Sequence, residues 1–181
     1  MSIKLNLGCG KRNFGKEWIH IDGSNYEHIS SHDIVNLPFE EESIDLIYAS
    51  HVFEYFDRED AADVLKKWYG KLKKGGVLRL AVPDFEAYSN LYQRGTLNLD
   101  QFLGPLYGKW QMTKKETIYH KTVYDYKSLK TLLVNNNFLN VKLWDWREVE
   151  HGRCDDYSQA YVPHMDKDNG VLVSLNVECN K

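Results

Sequence analysis

Cysteine is scarce in this chain. Cys9, Cys154 and Cys179 make an odd set of three in 181 residues, too few for a disulfide framework, which points to a reducing cytosol. No apolar run approaches the roughly 20 residues of a membrane span. The N-terminus carries no apolar stretch followed by a cleavage site, so no export signal is expected. An excess of one charge is missing too. The formal net charge is −3 and the isoelectric point about 6.2, so no global basic field exists to hold a polyanion, and nucleic acid is not an expected partner. One local basic run, Lys66, Lys67, Lys71, Lys73 and Lys74, has no aromatic interleaving and reads as cations on the last turns of a helix. Internal repeats, low-complexity tracts and long linkers are absent. The length suits a single domain, 1–181, with a real core.

Apolar runs alternate with helical patterns in the first half, which predicts an α/β fold with a mostly parallel sheet. Strands are expected at Ile3 to Leu7, Trp18 to Ile21, His32 to Val35, Ile44 to Ser50 and Val77 to Val82. A helix is expected from about Asp57 to Lys74, with Asp57 as its N-cap and Gly75-Gly76 ending it. Its apolar face is Ala61, Val64, Leu65, Trp68 and Leu72. Further helices are expected near Asp84 to Arg94 and Asp125 to Asn136, the latter with Leu129, Leu132 and Leu133 inward. Between them, residues 96–120 read as short helices and loops forming a cap. The last two strands are expected at Phe138 to Trp146 and Val171 to Glu178. The polar stretch Arg147 to Gly170 is long for a connection in a compact domain, which marks it as functional or mobile.

The first strand empties into Gly8-Cys9-Gly10, and the second ends at Asp22. Glycines let a backbone approach a ligand where a Cβ would clash, and a carboxylate so placed can accept hydrogen bonds from both ribose hydroxyls. The pair predicts a nucleoside site. A dinucleotide is disfavoured. The third glycine of its fingerprint is replaced by Asn13, and Lys11 to Glu17 are too few for the helix whose N-terminus would receive a pyrophosphate. A cofactor with a ribose and a zwitterionic tail but no phosphate fits better.

Six segments carry a resemblance. They are Leu5-Asn6-Leu7-Gly8-Cys9-Gly10, Trp18-Ile19-His20-Ile21-Asp22, Asp33 through Phe39, Ser43 through His51, Leu72 through Leu78, and Ala81-Val82-Pro83-Asp84. In this order they resemble the class I S-adenosylmethionine-dependent methyltransferases, in particular a small methyltransferase type 11-like branch. The resemblance covers Ile3 to about Tyr92 and implies a Rossmann-like domain with a seven-stranded, mostly parallel sheet and an antiparallel last strand. It implies S-adenosylmethionine as cofactor. Gly8 and Gly10 would pass under its methionine part, with Asn6 and Cys9 in the same turn. Asp22, followed by Gly23, would bind the ribose. Asp33 would accept from the adenine amino group beside the Ile34 backbone, and Ser50 and His51 would face the methyl donor. The branch commonly shows a second histidine where this chain has Tyr55, which puts catalysis in question and leaves a non-catalytic cofactor-binding protein as the rival reading. Lys11 or Arg12 are partners for the cofactor carboxylate. Sugar and cell-envelope pathways associated with the branch imply a small or glycan-linked acceptor.

A hydroxyl acceptor needs a base. His51, Glu54, Asp84 and His120 stand as candidates, and His51, Asp84 and His120 are taken as the catalytic set. Each has a plain structural reading as well: Asp84 as a helix N-cap, His51 and Glu54 as a local pair, His120 as a surface loop residue. Gly8 and Gly10 also read as a tight turn, and Asp22 and Asp33 as turn formers. Tyr107, Trp110, Tyr119, Tyr124 and Tyr126 are expected either to line an acceptor pocket or to cover the sheet. His28 with His32, and Cys154 with Asp155, Asp156, His164 and Asp166, lack the closed spacing of zinc ligands, so no metal is expected.

Overall fold

In the computed structural model, residues 2–112 and 116–181 are described; part of the expected cap, residues 113–115, lies outside them. Four of the expected strands form where the apolar runs lie: β1 Lys4–Leu7, β2 Ile19–Ile21, β4 Ile44–Ser50 and β5 Leu72–Pro83, with β3 at Ile29–Ser31. The helices are α1 Ala61–Lys71, α2 Phe85–Gln93, α3 Leu99–Tyr107 and α4 Tyr126–Asn135. The remaining strands are β6 Trp110–Gln111, β7 Thr117–Ile118, β8 Leu139–Leu143, β9 Tyr161–Val162, β10 Val171–Leu172 and β11 Ser174–Asn180.

The main sheet has seven strands in the order β3-β2-β1-β4-β5-β11-β8. The first four pairings are parallel, and β11 is antiparallel to both its neighbours. Its central strands are buried on both faces, as apolar runs without alternation require. On one face Leu65 and Trp68 of α1 and Leu129 and Leu133 of α4 pack on Leu5, Leu7, Ile47, Leu78 and Val177. Trp68 is fully buried, and its indole N–H donates to the Ile34 carbonyl. The opposite face is covered differently. Phe14, Trp18 and Trp144 surround Tyr48, Leu46 and Ala81, and His151 stacks on Phe14 with ring centres 5.1 Å apart. No residue of α1 to α4 belongs to this second cluster.

Several expectations are corrected. The third strand lies upstream of His32 to Val35, because Asp33 Oδ1 accepts from the backbone N–H of Val35 and Asn36 and bends that stretch into a turn. The first long helix begins after Asp60 rather than Asp57, and Asp57 shapes the preceding turn by accepting from Glu59 N–H. It also ends at Lys71, before the glycines. Leu72 is fully buried and pairs with Ile44, while Gly75 and Gly76 sit in a bulge where the β4–β5 register slips. The cap contains a nine-residue helix, α3, and a β6–β7 hairpin. A capping box between Asn98 and Gln101 starts that helix. Asp84 and Asp125 do cap α2 and α4 through their side chains. The basic run is spent locally: Lys66 pairs with Asp63, Lys71 with Glu41 and Lys73 with Asp45.

Candidate functional site

The described residues enclose a cavity of about 1100 Å³ beyond the C-terminal ends of β1, β2 and β4, where open parallel sheets bind ligands. That volume is at the top of the range for one small ligand, so it has room for two. One end is formed by Gly8, Gly10, Asp22, Gly23 and Ile34. The other is formed by His51, Tyr55, Tyr88, Trp110, His120 and Tyr157, with the cap on one side and the 155–165 segment on the other.

The glycine turn is built by two different demands. Gly8 and Gly10 have φ +63° and +54°, the left-handed region that glycine enters without strain. A Cβ on Gly8 would overlap the Val52 Cγ2 methyl, so that glycine is fixed by packing. A Cβ on Gly10 would meet no protein atom within 4 Å, and Gly10 lines the cavity. Asp22 is buried with its Oδ2 accepting from Gly10 N–H at 2.8 Å and its Oδ1 from Ser24 N–H at 2.7 Å. Each carboxylate oxygen keeps acceptor capacity toward the cavity. An open glycine floor beside a held carboxylate fits a ribose and an aminoacyl tail. Arg12, rather than Lys11, reaches the cavity; its guanidinium lies over the Tyr157 ring at 4.7 Å and donates to the Asp155 carbonyl.

Ile34, Ser50 and His51 line the cavity. Asn6, Cys9 and Asp33 do not. Asn6 points to the opposite face of the sheet, in register with His20 and Tyr48. Cys9 is buried against the Gly10 carbonyl and 3.8 Å from His28 Nε2; burial, then the Asp22 charge, pushes its thiol up to about 12, which leaves it unreactive. Asp33 is exposed and its carboxyl is held low chiefly by the Asn36 backbone N–H.

Of the expected catalytic set, Asp84 stands apart. Its Oδ1 accepts from Glu86 and Ala87 N–H as a helix cap, and it does not line the cavity. His51 and His120 are brought together across Glu54. Glu54 Oε1 lies 3.6 Å from His51 Nδ1 and 3.6 Å from His120 Nε2. Glu54 is 1% exposed, and among the described residues no other residue gives either carboxylate oxygen a hydrogen bond. Burial pushes it up to about 8; burial, then His120 and Arg12, pushes His51 down to about 3. His51 has φ +52°, an uncommon conformation for a non-glycine residue and one that clusters at functional sites. Of the five aromatics expected either to line a pocket or to cover the sheet, Trp110 lines the cavity and the other four do not. Tyr107 and Tyr119 are exposed, and Tyr124 stacks on Phe53 in the core. Tyr55, Tyr88, Tyr157 and Tyr161 line the cavity instead. The length of the polar 147–170 connection was the only sequence signal for the last two. Among the described residues, no group of three or more His, Cys, Asp or Glu is arranged to hold a metal ion, and no helix is long and apolar enough to cross a membrane.

The fold and this site define the class I methyltransferase fold. Residues 5–80 match the family described as "Methyltransferase domain", which agrees with the resemblance read from the sequence. Solved structures repeat the fold across the whole chain. A SAM-dependent methyltransferase from Methanosarcina mazei is 15% identical with a TM-score of 0.58, covering 99% of this chain and 92% of its own. One from Archaeoglobus fulgidus is 16% identical with a TM-score of 0.57, covering 99% and 86%. The 1,6-didemethyltoxoflavin-N1-methyltransferase of Burkholderia thailandensis, solved with 1,6-didemethyltoxoflavin and S-adenosylhomocysteine bound, is 10% identical with a TM-score of 0.54, covering 99% and 71%. No curated protein matches the chain.

Proposed function

We propose that the protein is an S-adenosylmethionine-dependent methyltransferase that acts on a hydroxyl of a small or glycan-linked acceptor. The observation that carries this reading is the single cavity in which the Gly10–Asp22 floor is continuous with the His51–His120 end. Gly10, Asp22, Gly23 and Ile34 would hold the cofactor, with Arg12 toward its carboxylate. Bound there, S-adenosylmethionine supplies a methyl group on a positively charged sulfur. The protein's work is then alignment and dehydration: Tyr88, Trp110 and Tyr157 give flat faces on which a sugar ring can stack. The 155–165 segment and the cap wall the cavity, and with both ligands bound they would limit the water at the site.

The test is titration calorimetry with S-adenosylmethionine and S-adenosylhomocysteine, followed by turnover on a panel of simple glycosides. Binding with release of S-adenosylhomocysteine is the expected result. Failure to bind either molecule refutes the reading. Tight binding with no turnover on any acceptor favours the rival, a non-catalytic sensor or partner that keeps the cofactor site.

A further inference from the structure

The hydrogen bonds around the two histidines fix where their protons sit. Asn176 Nδ2 donates to the Ser158 carbonyl at 2.9 Å, so its Oδ1 is the acceptor. The Ser174 hydroxyl donates to that oxygen at 2.9 Å. Having given its hydrogen there, Ser174 Oγ accepts from His51 Nε2, 3.2 Å away. His51 therefore carries its hydrogen on Nε2, and its Nδ1 is bare. His120 Nδ1 lies 3.0 Å from the Pro105 carbonyl, which can only accept. His120 therefore carries its hydrogen on Nδ1, and its Nε2 is bare. Each bare nitrogen lies 3.6 Å from the same Glu54 oxygen, and both imidazoles line the cavity.

Two bare nitrogens this close to an ionised, buried carboxylate would repel it and leave it no donor beyond its own backbone N–H, which is costly. One proton in the cluster removes that conflict. It neutralises Glu54, satisfies one imidazole and leaves the other nitrogen bare. We propose that Glu54, His51 and His120 form a one-proton cluster whose remaining bare imidazole nitrogen takes the proton of a neutral hydroxyl acceptor. This rests on the proposed methyl transfer. As the acceptor O–H bond breaks, its proton passes to the imidazole. The O–C bond forms to the methyl carbon while the C–S bond breaks and its electron pair returns to sulfur. The cluster then holds two protons, with ionised Glu54 accepting from both imidazole N–H groups. A positive charge leaves the sulfur as the cluster gains one, so the net charge of the cavity does not change.

The chain supports this cluster from both sides. Glu54 follows β4 at the sheet edge, and its own carbonyl accepts from Lys121 and Thr122 N–H at 2.9 and 3.3 Å, tying the end of the cap to it. His120 lies edge-on to Tyr55 at 4.7 Å. At 3.6 Å the two contacts are longer than hydrogen bonds, which need about 2.7–3.2 Å, and loose geometry of this kind is common before substrate binds. The Tyr55 and Tyr124 hydroxyls beside Glu54 are both pushed up, by burial first and then by the Glu54 charge; on the other side of the cluster the Arg12 charge bears on His51, whose ring lies 5.2 Å from that of Tyr157.

Two measurements test the cluster, one of them independent of the cofactor. In the unmodified chain near neutral pH, nitrogen-15 resonances of the imidazoles should report hydrogen on Nε2 of His51 and Nδ1 of His120. The carbon-13 resonance of the Glu54 carboxyl should report a protonated group. An ionised Glu54 beside two neutral imidazoles, or the opposite tautomers, overturns the proposal even if S-adenosylhomocysteine binds. The second measurement uses Glu54→Gln, which keeps the shape but holds no shareable proton. S-adenosylhomocysteine affinity should stay within about twofold, while turnover on glycosides should fall about 10²–10⁴-fold. Undiminished turnover overturns the role. Loss of cofactor binding by the unmodified chain would instead sink the methyltransferase reading and leave the imidazole and carboxyl resonances as expected.

Discussion

Replacing Gly8 and Gly10 by alanine, one at a time, separates packing from ligand approach within one turn. Both residues have positive φ, so a Cβ costs about 1–2 kcal/mol at either position. At Gly8 the new methyl also overlaps Val52, which is itself part of the main core; overpacking of this kind adds about 1–3 kcal/mol. Gly8→Ala should therefore lose about 2–5 kcal/mol in all. At about 2–4 °C per kcal/mol for a chain of this size, the melting temperature falls by roughly 4–20 °C. Gly10→Ala meets no protein atom within 4 Å and should lose only the backbone cost, roughly 2–8 °C. Its methyl lies at the cavity floor, so calorimetry with S-adenosylhomocysteine should show at least about tenfold weaker binding, or 1.4 kcal/mol. Val52→Ala on the Gly8→Ala background should recover part of the stability, because the two groups touch. Equal melting temperatures for the two single variants would refute the packing argument. Undiminished binding by Gly10→Ala would refute the placement of the cofactor.

Three further outcomes are expected. Asp22→Asn exchanges one acceptor oxygen for a donor facing a backbone N–H and should weaken S-adenosylhomocysteine binding by about 1–3 kcal/mol; unchanged affinity removes Asp22 from the site. Tyr48→Phe deletes the hydroxyl that donates to buried Asp156 Oδ2 at 2.7 Å. It should cost about 1–3 kcal/mol, seen as a fall of roughly 2–12 °C in melting temperature, and an unchanged melting temperature would show that this hydrogen bond contributes nothing net. The third concerns pH. Glu54 is pushed up by burial to about 8 from an ordinary 4.5. Between those values the folded chain keeps a proton that the unfolded chain has released, so this group takes stability away as pH rises through that window. Glu54→Gln lacks the proton, and its melting temperature relative to the parent should climb from pH 4.5 to 8. A pH-independent difference would show that Glu54 ionises normally in the fold.

Sequence pattern revealed the sheet because its signals are local. The runs around Leu5, Ile47 and Leu80 are continuous, and Asp84 and Asp125 sit where helices need acceptors. The Gly8-Cys9-Gly10 turn and Asp22 were legible for the same reason. What the pattern missed depends on distant partners. Leu72 leaves its helix because Ile44 awaits it, and Asp33 bends its strand because its carboxylate captures neighbouring N–H groups. The Glu54–His51–His120 cluster joins residues 66 positions apart in sequence from 54 to 120. The spacing of His51 and Glu54 already suggested a local pair, but the arrival of His120 beside them was not visible.

The segment after Trp144 does two jobs at once. Trp144 and His151 close the face of the sheet that α1 and α4 leave open, and a few residues later Asp156 and Tyr157 wall the cavity, with Tyr48 bonded to Asp156 from within the core. Selectivity and thermal endurance are thereby written into the same stretch of chain. A lineage drifting toward a bulkier acceptor through this wall would loosen its own interior, whereas changes at the exposed Leu99, Leu103 and Tyr107 of α3 would not, so diversification of substrate range is expected to run through that exposed face first.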